Sequence, residues 1–415
     1  MSDIPSKTAV APRPMHRVEL VALLAMLVAT VAFSIDSMLP ALPKIGDDLG
    51  VSDPNNVQLV LSAFIVGMGI GTLFTGPLSD TFGRKPVVLT GAALYIFGAI
   101  LGWMAPSLEL LVAARLIQGL GAAGPRVVSL AIVRDFYSGR EMARLMSFVM
   151  MIFTLFPAIA PMIGSGIIAL AGWRGIFVGF VIFALISSTW LTIRLPEPLP
   201  PERRRPFRLR NLAEAAREMA AIPMVRLSIA VQSLIFATLF TSISLIQPVF
   251  SEVFDRADSF PAWFFAIGIF CGTSSLVNSQ LVMRFGMRII VMVTLFVFVG
   301  LSLAMLGVRA MNLPPQTEFW VYIVWQGAVF YQMGLTIGNL NALAMEPLGH
   351  IAGLAASVIG ATSTIFGGVA ASIVAQTFGG TALPLYLASL VFSGLALPLV
   401  LRMRRLERAD EAAAR

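Results

Sequence analysis

The sequence predicts an all-α membrane protein with twelve transmembrane helices arranged as two related six-helix halves. Composition is the first reason: of 415 residues, 57% are hydrophobic and only 12% are charged. An average soluble domain is about 45–50% apolar and about 25% charged. So little polar surface cannot cover a soluble globule, and most of the chain is predicted to face lipid. The other reasons are twelve apolar windows of membrane-spanning length and a weak internal repeat.

Apolar windows of about 20 residues mark the predicted helices, because about 30 Å of hydrocarbon requires that many residues in a helix. Between the sixth and seventh windows, residues 196–223 are rich in proline and arginine and end in an amphipathic stretch. They are predicted to form a cytoplasmic linker with a short surface helix, between an N-terminal half (1–195) and a C-terminal half with a basic tail (224–415). The predicted spans are 18–39, 57–79, 86–105, 109–133, 142–170, 174–195, 224–250, 261–283, 287–309, 318–345, 350–379 and 381–402.

The distribution of basic residues predicts the orientation. Of the 29 Lys and Arg residues, 23 fall in segments that share the side of the N-terminus, 4 fall on the other side and 2 lie within helices. Membrane proteins concentrate Lys and Arg in cytoplasmic loops, so both termini are predicted to be cytoplasmic. The net charge of +7 does not indicate a nucleic-acid partner, because the basic residues lie in short runs between apolar segments.

The internal repeat relates the loop after the second span to the loop after the eighth. Residues 82–88 (FGRKPVV) are similar to residues 285–291 (FGMRIIV), 203 positions later. Two parallel six-helix repeats with a binding site at their interface form one of the architectures of secondary transporters. The repeat therefore predicts a transporter.

The loop between the second and third spans carries a motif, GPLSDTFGRKP at residues 76–86. Glycine allows so short a loop to turn without a Cβ clash. The stretch resembles the signature G-x-L-x-D-R-x-G-R-K of the major facilitator superfamily, with Thr81 in place of Arg. The resemblance implies the major facilitator fold and a loop that locks the cytoplasmic gate, whereas the alternative is a plain turn with snorkelling charges. The implied gate residues are Gly76, Asp80, Gly83, Arg84 and Lys85, with Asp135 as a partner.

Asp36 is the one carboxylate placed well inside a predicted span. Burial disfavours the charged form of a carboxylate and a nearby guanidinium opposes this, so protonation of Asp36 is predicted to change with water access and neighbours. That behaviour is required of a proton-coupling site. The alternative is a structural role, in which Asp36 satisfies backbone groups near the outer helix end. No other buried acid is expected to replace it.

Arg115 lies about one and a half turns into the fourth span, where a guanidinium is costly and is expected to face a wet cavity or a partner. The stretch RLIQG that begins at Arg115 resembles the R-x-x-Q-G motif of proton-coupled superfamily members. Residues 34–43 (SIDSMLPALP) resemble S-I-D-x-Y-L-P-A-L-P of the Bcr/CflA drug-resistance transporters, with Met38 in place of the aromatic residue. The resemblance implies drug:proton antiport in a bacterial inner membrane, with Asp36 and Arg115 coupling the proton.

The fifth span contains PAIAPMIGS at residues 157–165, which resembles the antiporter motif core G-P-x-x-G-G with Ala160 and Ser165 in place of glycines. Proline removes a backbone hydrogen bond and small residues allow close helix contact, which predicts a bend at a moving interface. Packing alone is the alternative. The motif residues are Pro157, Pro161 and Gly164.

Polar and aromatic residues inside the spans are candidate cavity residues. Arg126, eleven residues after Arg115 on the same helix face, either lines the cavity or extends to the membrane interface. An apolar pocket with a few hydrogen-bonding groups is the usual form of a small-molecule site. The candidate substrate-cavity residues are Asp36, Arg115, Gln118, Arg126, Gln232, Phe236, Phe240, Gln326, Tyr331 and Asn339.

Metal and enzyme functions are not predicted. One cysteine, Cys271, and two histidines, His16 and His350, cannot assemble a metal or catalytic cluster. No cofactor is expected, and the proton gradient is the energy source.

The sequence thus favours a proton-coupled exporter of amphipathic small molecules, acting by alternating access as a monomer in the lipid bilayer. The alternatives are a transporter dedicated to one metabolite or metal ion, a membrane enzyme, which would need clustered nucleophiles or ligands, and a transport-like sensor.

Overall fold

The computed structural model describes residues 15–137, 139–204, 206–311 and 313–413, and within them it is almost entirely helical. Long apolar helices form because, in lipid, every backbone polar group must be satisfied within its own segment. The helices are α1 (Arg17–Asp36), α2 (Leu42–Asp48), α3 (Leu59–Phe82), α4 (Arg84–Met104), α5 (Leu108–Phe136), α6 (Gly139–Ala171), α7 (Arg174–Arg194), α8 (Leu209–Ala221), α9 (Pro223–Pro248), α10 (Phe260–Phe285), α11 (Met287–Ala310), α12 (Pro315–Met345), α13 (Ala352–Ala375) and α14 (Leu383–Ala413).

Twelve of these helices span the membrane in the part of the chain that is described. Eleven segments are long and apolar enough to cross a bilayer, and one of them, Pro315–Ala375, has 61 residues. A single crossing needs about 20 residues. A 3-10 turn at Glu346–Ile351 divides the long segment into α12 and α13. The all-α, twelve-span fold class is confirmed, with α2 and α8 as short additional helices.

The predicted boundaries differ from the structure mainly at the first and last spans. The first span was expected to reach residue 39, but α1 ends at Asp36, because Pro40 and Pro43 follow and proline cannot continue a helix. Helix α14 continues past residue 402 to Ala413 through a stretch rich in helix-forming Arg, Glu and Ala. The short helix expected in linker 196–223 is α8. The predicted halves 1–195 and 224–415 also include residues 1–14, 138, 312, 414 and 415, and the linker includes 205, which lie outside the described residues.

The two six-helix halves meet along two pairs of helices. Helix α3 packs on α13, and α6 packs on α10. Within the N-terminal half, α5 packs closely on α3 because glycines let the backbones touch: a Cβ at Gly119 would overlap the carbonyl of Phe64, and one at Gly67 would overlap that of Leu116. Small residues allow this close approach between membrane helices.

Buried apolar side chains join the two halves at one end of the molecule. One cluster there contains residues of both halves, such as Phe33 and Met38 with Phe240 and Ile246. Hydrogen bonds also cross the halves at this end, where Asn55 Nδ2 donates to the carbonyl of Phe378 at 2.8 Å. We call this the sealed end.

Toward the opposite end, where the described chain begins and ends, the apolar residues of the halves form separate clusters. One cluster surrounds Leu23 and Val128, and the other surrounds Val231 and Leu340. We call this the terminal end. The first half of α1 is partly exposed there, whereas its last ten residues are enclosed.

Candidate functional site

Asp36 is the last residue of α1 and lies in the sealed end. It was expected to lie well inside the span 18–39, whereas the structure places it at the end of the helix. The following 3-10 turn (Leu39–Ala41) and α2 nevertheless cover it, and the residue is only 4% exposed. No side-chain hydrogen bond or ion pair of Asp36 is found among the described residues. A buried carboxylate without a partner is costly as an anion, so the site strongly disfavours the charged form.

Helix α6 closes the site from one side through Gly164. A Cβ at this position would overlap the carbonyl of Ser37, the residue next to Asp36. The expected close contact of the motif at residues 157–165 is therefore made with the end of α1. The same helix reaches the other half, because Ala158 lies against Gly268 of α10. Helix α6 continues through Pro157 and Pro161, and it contacts both Asp36's neighbour and the C-terminal half.

Arg115 is fully buried in α5 and is held by three oxygen acceptors. Its Nη2 donates to the carbonyl of Ser34 at 2.7 Å, its Nε to the carbonyl of Val60 at 3.2 Å, and its Nη1 to Gln118 Oε1 at 2.6 Å. The guanidinium also lies 4.4 Å from the centroid of the Phe64 ring, a distance at which cations are attracted to aromatic faces.

These contacts decide between the two expectations for Arg115. It does not face a wet cavity, and it does not bind Asp36 directly; it binds the main chain two residues before Asp36. The guanidinium therefore links α1, α3 and α5 and fixes the end of the helix that carries the acid.

Two residues of this network were missed from the sequence. Tyr95 of α4 is buried, and its hydroxyl lies 2.6 Å from Ser34 Oγ. Ser34 Oγ also donates to the carbonyl of Thr30. The one signal for Tyr95 is that it is a tyrosine inside an apolar span, and its partner on α1 cannot be read from the sequence.

The expected gate residues gather around Arg84 at the terminal end. Arg84 is 5% exposed, and its Nη1 lies 2.5 Å from Asp80 Oδ1 while its Nε lies 2.7 Å from Asp135 Oδ2. Arg84 Nη1 also donates to Ser79 Oγ. Charge-assisted bonds of this kind are stronger than neutral ones. The arginine thus ties α3, α4 and the end of α5 together.

The linker takes part in the gate cluster through Glu197, which sequence reasoning missed. Its carboxylate accepts from the main-chain N–H groups of Arg84 at 2.8 Å and Lys85 at 3.0 Å. It therefore caps the N-terminus of α4, where the helix dipole favours a negative charge. Lys85 in turn donates to the carbonyls of Thr192 and Leu195.

Gly83 occupies a backbone conformation that favours glycine, with φ 103°. A side chain there would also approach the Glu197 carboxylate. Gly76, earlier in the motif, lies against Ser357 of α13, where a Cβ would overlap the serine hydroxyl. The motif thus contacts both the linker and the C-terminal half.

Four candidate cavity residues of the C-terminal half lie on the inner helices α9 and α12. The rings of Phe236 and Phe240 are 5.5 Å apart, and Gly367 of α13 packs against the Phe236 main chain. Gln326 Nε2 donates to Ser242 Oγ. Buried side-chain oxygens of Gln232 and Gln326 have no hydrogen-bond partner in the described chain, so they offer acceptors to a ligand.

The other two C-terminal candidates lie apart from this group. Tyr331 packs on Phe270 with ring centroids 4.9 Å apart, and it lines an apolar groove of about 830 Å³ between α10, α11 and α12. Asn339 donates to Asn278 Oδ1 at 2.9 Å and links α12 to α10. The helical periodicity of the sequence predicts which residues of α12 share a face, but it does not predict which neighbouring helix packs on that face.

Arg126 of α5 is half-buried, and its partner differs from those of Arg115. Its Nη1 lies 3.8 Å from the thioether sulfur of Met68 on α3. A thioether is a weak acceptor. No ion pair of Arg126 is found among the described residues.

Comparison with known proteins identifies the family. The family model of the Major Facilitator Superfamily matches residues 22–375, most of the chain. The chain belongs to the major facilitator superfamily. It is therefore a membrane transporter of small molecules and not an enzyme.

Three relatives illustrate the similarity. A bicyclomycin resistance protein homolog of Haemophilus influenzae is 29% identical over 356 residues, covering 85% of this chain and 88% of that protein. The multidrug resistance protein MdtL of Shigella dysenteriae is 27% identical over 340 residues, covering 79% and 80%. The crystal structure of a D-xylose-proton symporter superimposes with a TM-score of 0.69 at 16% identity, covering 93% of this chain and 96% of that one. The structural likeness confirms the major facilitator fold.

The transporter has a second buried carboxylate, which corrects the expectation that Asp36 is alone. Glu318, near the start of α12, is 9% exposed. It differs from Asp36 because Arg309 Nε lies 3.7 Å from its Oε1.

No group of three or more metal-binding side chains is found in the described residues.

The glycines of α6 offer a matched pair of variants. We expect Gly164→Ala to reduce transport about tenfold or more, because the added Cβ forces α6 away from the α1 end at Ser37, and overpacking costs about 1–3 kcal/mol. Gly166→Ala is the control, since nothing lies within 4 Å of its Cβ position. Initial rates in inverted vesicles at equal protein level measure both. Equal rates for the two variants would show that the contact has no functional role.

The ion pairs of Arg84 provide a test of the gate. Arg84→Ala leaves the partly exposed carboxylates of Asp80 and Asp135 without the cation that joins them, so two like charges then lie close together and repel each other. We expect the terminal end to open more readily, so that a Ser357→Cys probe next to Gly76 reacts faster with a thiol reagent. The native thiol is removed by Cys271→Ala. Arg210→Ala, which breaks the exposed Arg210–Glu214 pair on α8, is the control, and equal labelling in both variants would contradict the gate.

Proposed function

We propose that this transporter exports amphipathic small molecules, drugs among them, in exchange for protons. The observation that carries the proposal is the environment of Asp36: a buried acid without a partner, enclosed at the sealed end beside the main chain that Arg115 holds. Such an acid changes its protonation when the surroundings change, because its charged form is stable only when water or a cation reaches it.

The proposed coupling follows from the packing around Asp36. In the arrangement described here the acid is enclosed by α1, its 3-10 turn and α6, so it holds a proton. Opening of the sealed end separates α6 from the end of α1 and exposes the acid to the outer side, from which it takes up a proton. With the sealed end closed again, the proton leaves toward the terminal, cytoplasmic side as the drug binds, so proton entry drives drug export. Because Gly164 touches Ser37, movement of α6 against α10 is transmitted to the acid. Alternating access of this kind is the general mechanism of transporters with repeated halves.

The gate at the terminal end is proposed to work in the opposite phase. Asp80, Arg84, Lys85 and Asp135 hold the N-terminal half together there, and Gly76 brings α3 against α13. When the terminal end closes, these charges are positioned to bind helix ends of the other half. The excess of Lys and Arg at this end supports a cytoplasmic location for it and for both termini.

The cargo and the location are proposed from the relatives and the site together. The names of two relatives refer to bicyclomycin resistance and multidrug resistance. Aromatic side chains with unpaired amide oxygens on α9 and α12 suit amphipathic drugs. We propose a monomer in a bacterial inner membrane that uses the proton gradient and no cofactor.

Transport into inverted membrane vesicles tests the function. We expect several chemically unrelated amphipathic drugs to accumulate when a proton gradient is imposed, and accumulation to stop when a protonophore removes it. Vesicles from cells without the protein are the control. Transport of a single metabolite or metal ion with no drug affected would instead establish a dedicated transporter, and gradient-independent accumulation would contradict proton coupling.

A further inference from the structure

The two arginines inside α5 have opposite surroundings. Arg115 is fully buried, and its guanidinium donates to two main-chain carbonyls and one amide oxygen. Arg126 is half-buried, and its one hydrogen-bond partner among the described residues is the sulfur of Met68. A guanidinium has five N–H donors. Arg115 therefore directs three of its five donors to oxygen acceptors, whereas Arg126 has one weak sulfur acceptor and no oxygen partner among the described residues.

Arg126 lies on the same face of α5 as Arg115, nearer the terminal end. It follows Arg115 by eleven residues, which is three turns of helix, so both side chains leave the same face of α5. The contacts of Arg115 with Ser34 and Val60, and of Arg126 with Met68, show that this face is directed toward α1 and α3. Arg126 lies about 16 Å along the helix from Arg115, toward the terminal end, where the apolar clusters of the halves are separate.

An uncompensated cation within a membrane span is stable only with a counter-charge or water, and such residues mark substrate pathways. No carboxylate of the described residues forms an ion pair with Arg126. Asp36, the acid of the proposed coupling, lies at the sealed end beyond Arg115 and cannot reach it. The missing anion is therefore expected from the transported molecule.

We propose, resting on the proposed function, that Arg126 binds an oxyanion of the cargo, so that amphipathic carboxylates, anionic or zwitterionic, are the preferred substrates. A planar guanidinium suits this role because it can hold both oxygens of a carboxylate at once. The apolar body of the molecule lies against the buried surface between the halves. Desolvation of the carboxylate is offset by the arginine, and an uncharged analogue gains nothing from it.

A matched pair of probes tests the proposal: 1-naphthaleneacetic acid and its methyl ester, which differ only in the charged group. Binding to the purified full-length transporter is measured by isothermal titration calorimetry. We expect the wild type to bind the acid at least about tenfold more tightly than the ester, a difference of about 1.4 kcal/mol. Arg126→Gln should remove this preference and leave the ester affinity within about twofold. Arg126→Lys should keep part of it, because the charge remains.

The outcomes separate this proposal from the proposed function. Equal affinity of the wild type for acid and ester, or equal loss of both in Arg126→Gln with an unchanged melting temperature, overturns the role of Arg126. If Arg126→Gln does not fold, Arg126→Lys is measured instead. A lower affinity for the acid alone supports the proposal, and an equal decrease in the affinities for acid and ester overturns it. If the wild type binds the acid more tightly than the ester but shows no gradient-driven transport in vesicles, proton coupling is contradicted and the anion site at Arg126 is supported. Arg210→Gln on the exposed face of α8 is the charge-matched control.

Discussion

Replacement of Asp36 by asparagine is expected to abolish transport driven by a proton gradient while the protein remains folded. The substitution keeps the shape of the side chain and breaks no hydrogen bond, since none is found for Asp36 in the described chain. It removes the group that binds and releases the proton. Asp36→Glu should keep partial activity, because a titratable carboxyl remains, although one additional methylene must fit an enclosed site.

The measurement is accumulation of a transported drug in inverted vesicles with an imposed gradient, together with exchange of labelled for unlabelled drug without one. We expect Asp36→Asn to lose gradient-driven accumulation and to retain exchange of labelled for unlabelled drug. A misfolded protein would lose both activities. Asp47→Asn, an exposed carboxylate eleven residues later at the same end of the molecule, is the control and should transport normally. Full gradient-driven accumulation in Asp36→Asn would refute the assignment of the proton to Asp36.

Removal of the Arg115 guanidinium is expected to cause the largest loss of stability. In Arg115→Met, the carbonyls of Ser34 and Val60 and the amide oxygen of Gln118 lose their donor while remaining buried. A buried acceptor left without a partner costs about 1–3 kcal/mol, so we expect the free energy of unfolding to fall by about 3 kcal/mol or more. Arg115→Lys keeps the charge but cannot span three acceptors on three helices, and should recover only part of this.

Thermal unfolding of the detergent-purified protein measures the effect, with Arg210→Met on α8 as the control for loss of an exposed arginine. A melting temperature for Arg115→Met equal to that of the control would show that the hydrogen bonds contribute nothing. The variant should also transport poorly when it does fold, because the end of α1 that carries Asp36 is no longer fixed.

The site was only partly predictable from the residues. Charged residues are rare in this chain, so a buried acid, two arginines and a charged loop are easily recognised. A charged side chain inside the membrane is costly, and the few that occur there usually belong to a functional site. The acceptors of Arg115 were not predictable, since main-chain carbonyls carry no sequence signal. Glu197 was missed for a related reason: a carboxylate in a polar linker is ordinary until the structure places it at the N-terminus of α4.

The sequence by itself determined the number of spans, the family and the residues that carry charge inside the membrane. Hydrocarbon thickness fixes the length of each helix, and the cost of a buried charge makes each exception visible. Only the tertiary structure decided which of these charged groups find hydrogen-bond partners. Arg115 and Arg126 are the same residue on the same face of one helix, yet one meets three oxygens and the other a sulfur. The difference arises because the neighbouring helices α1 and α3 present different atoms at successive turns, which depends on packing and not on local sequence.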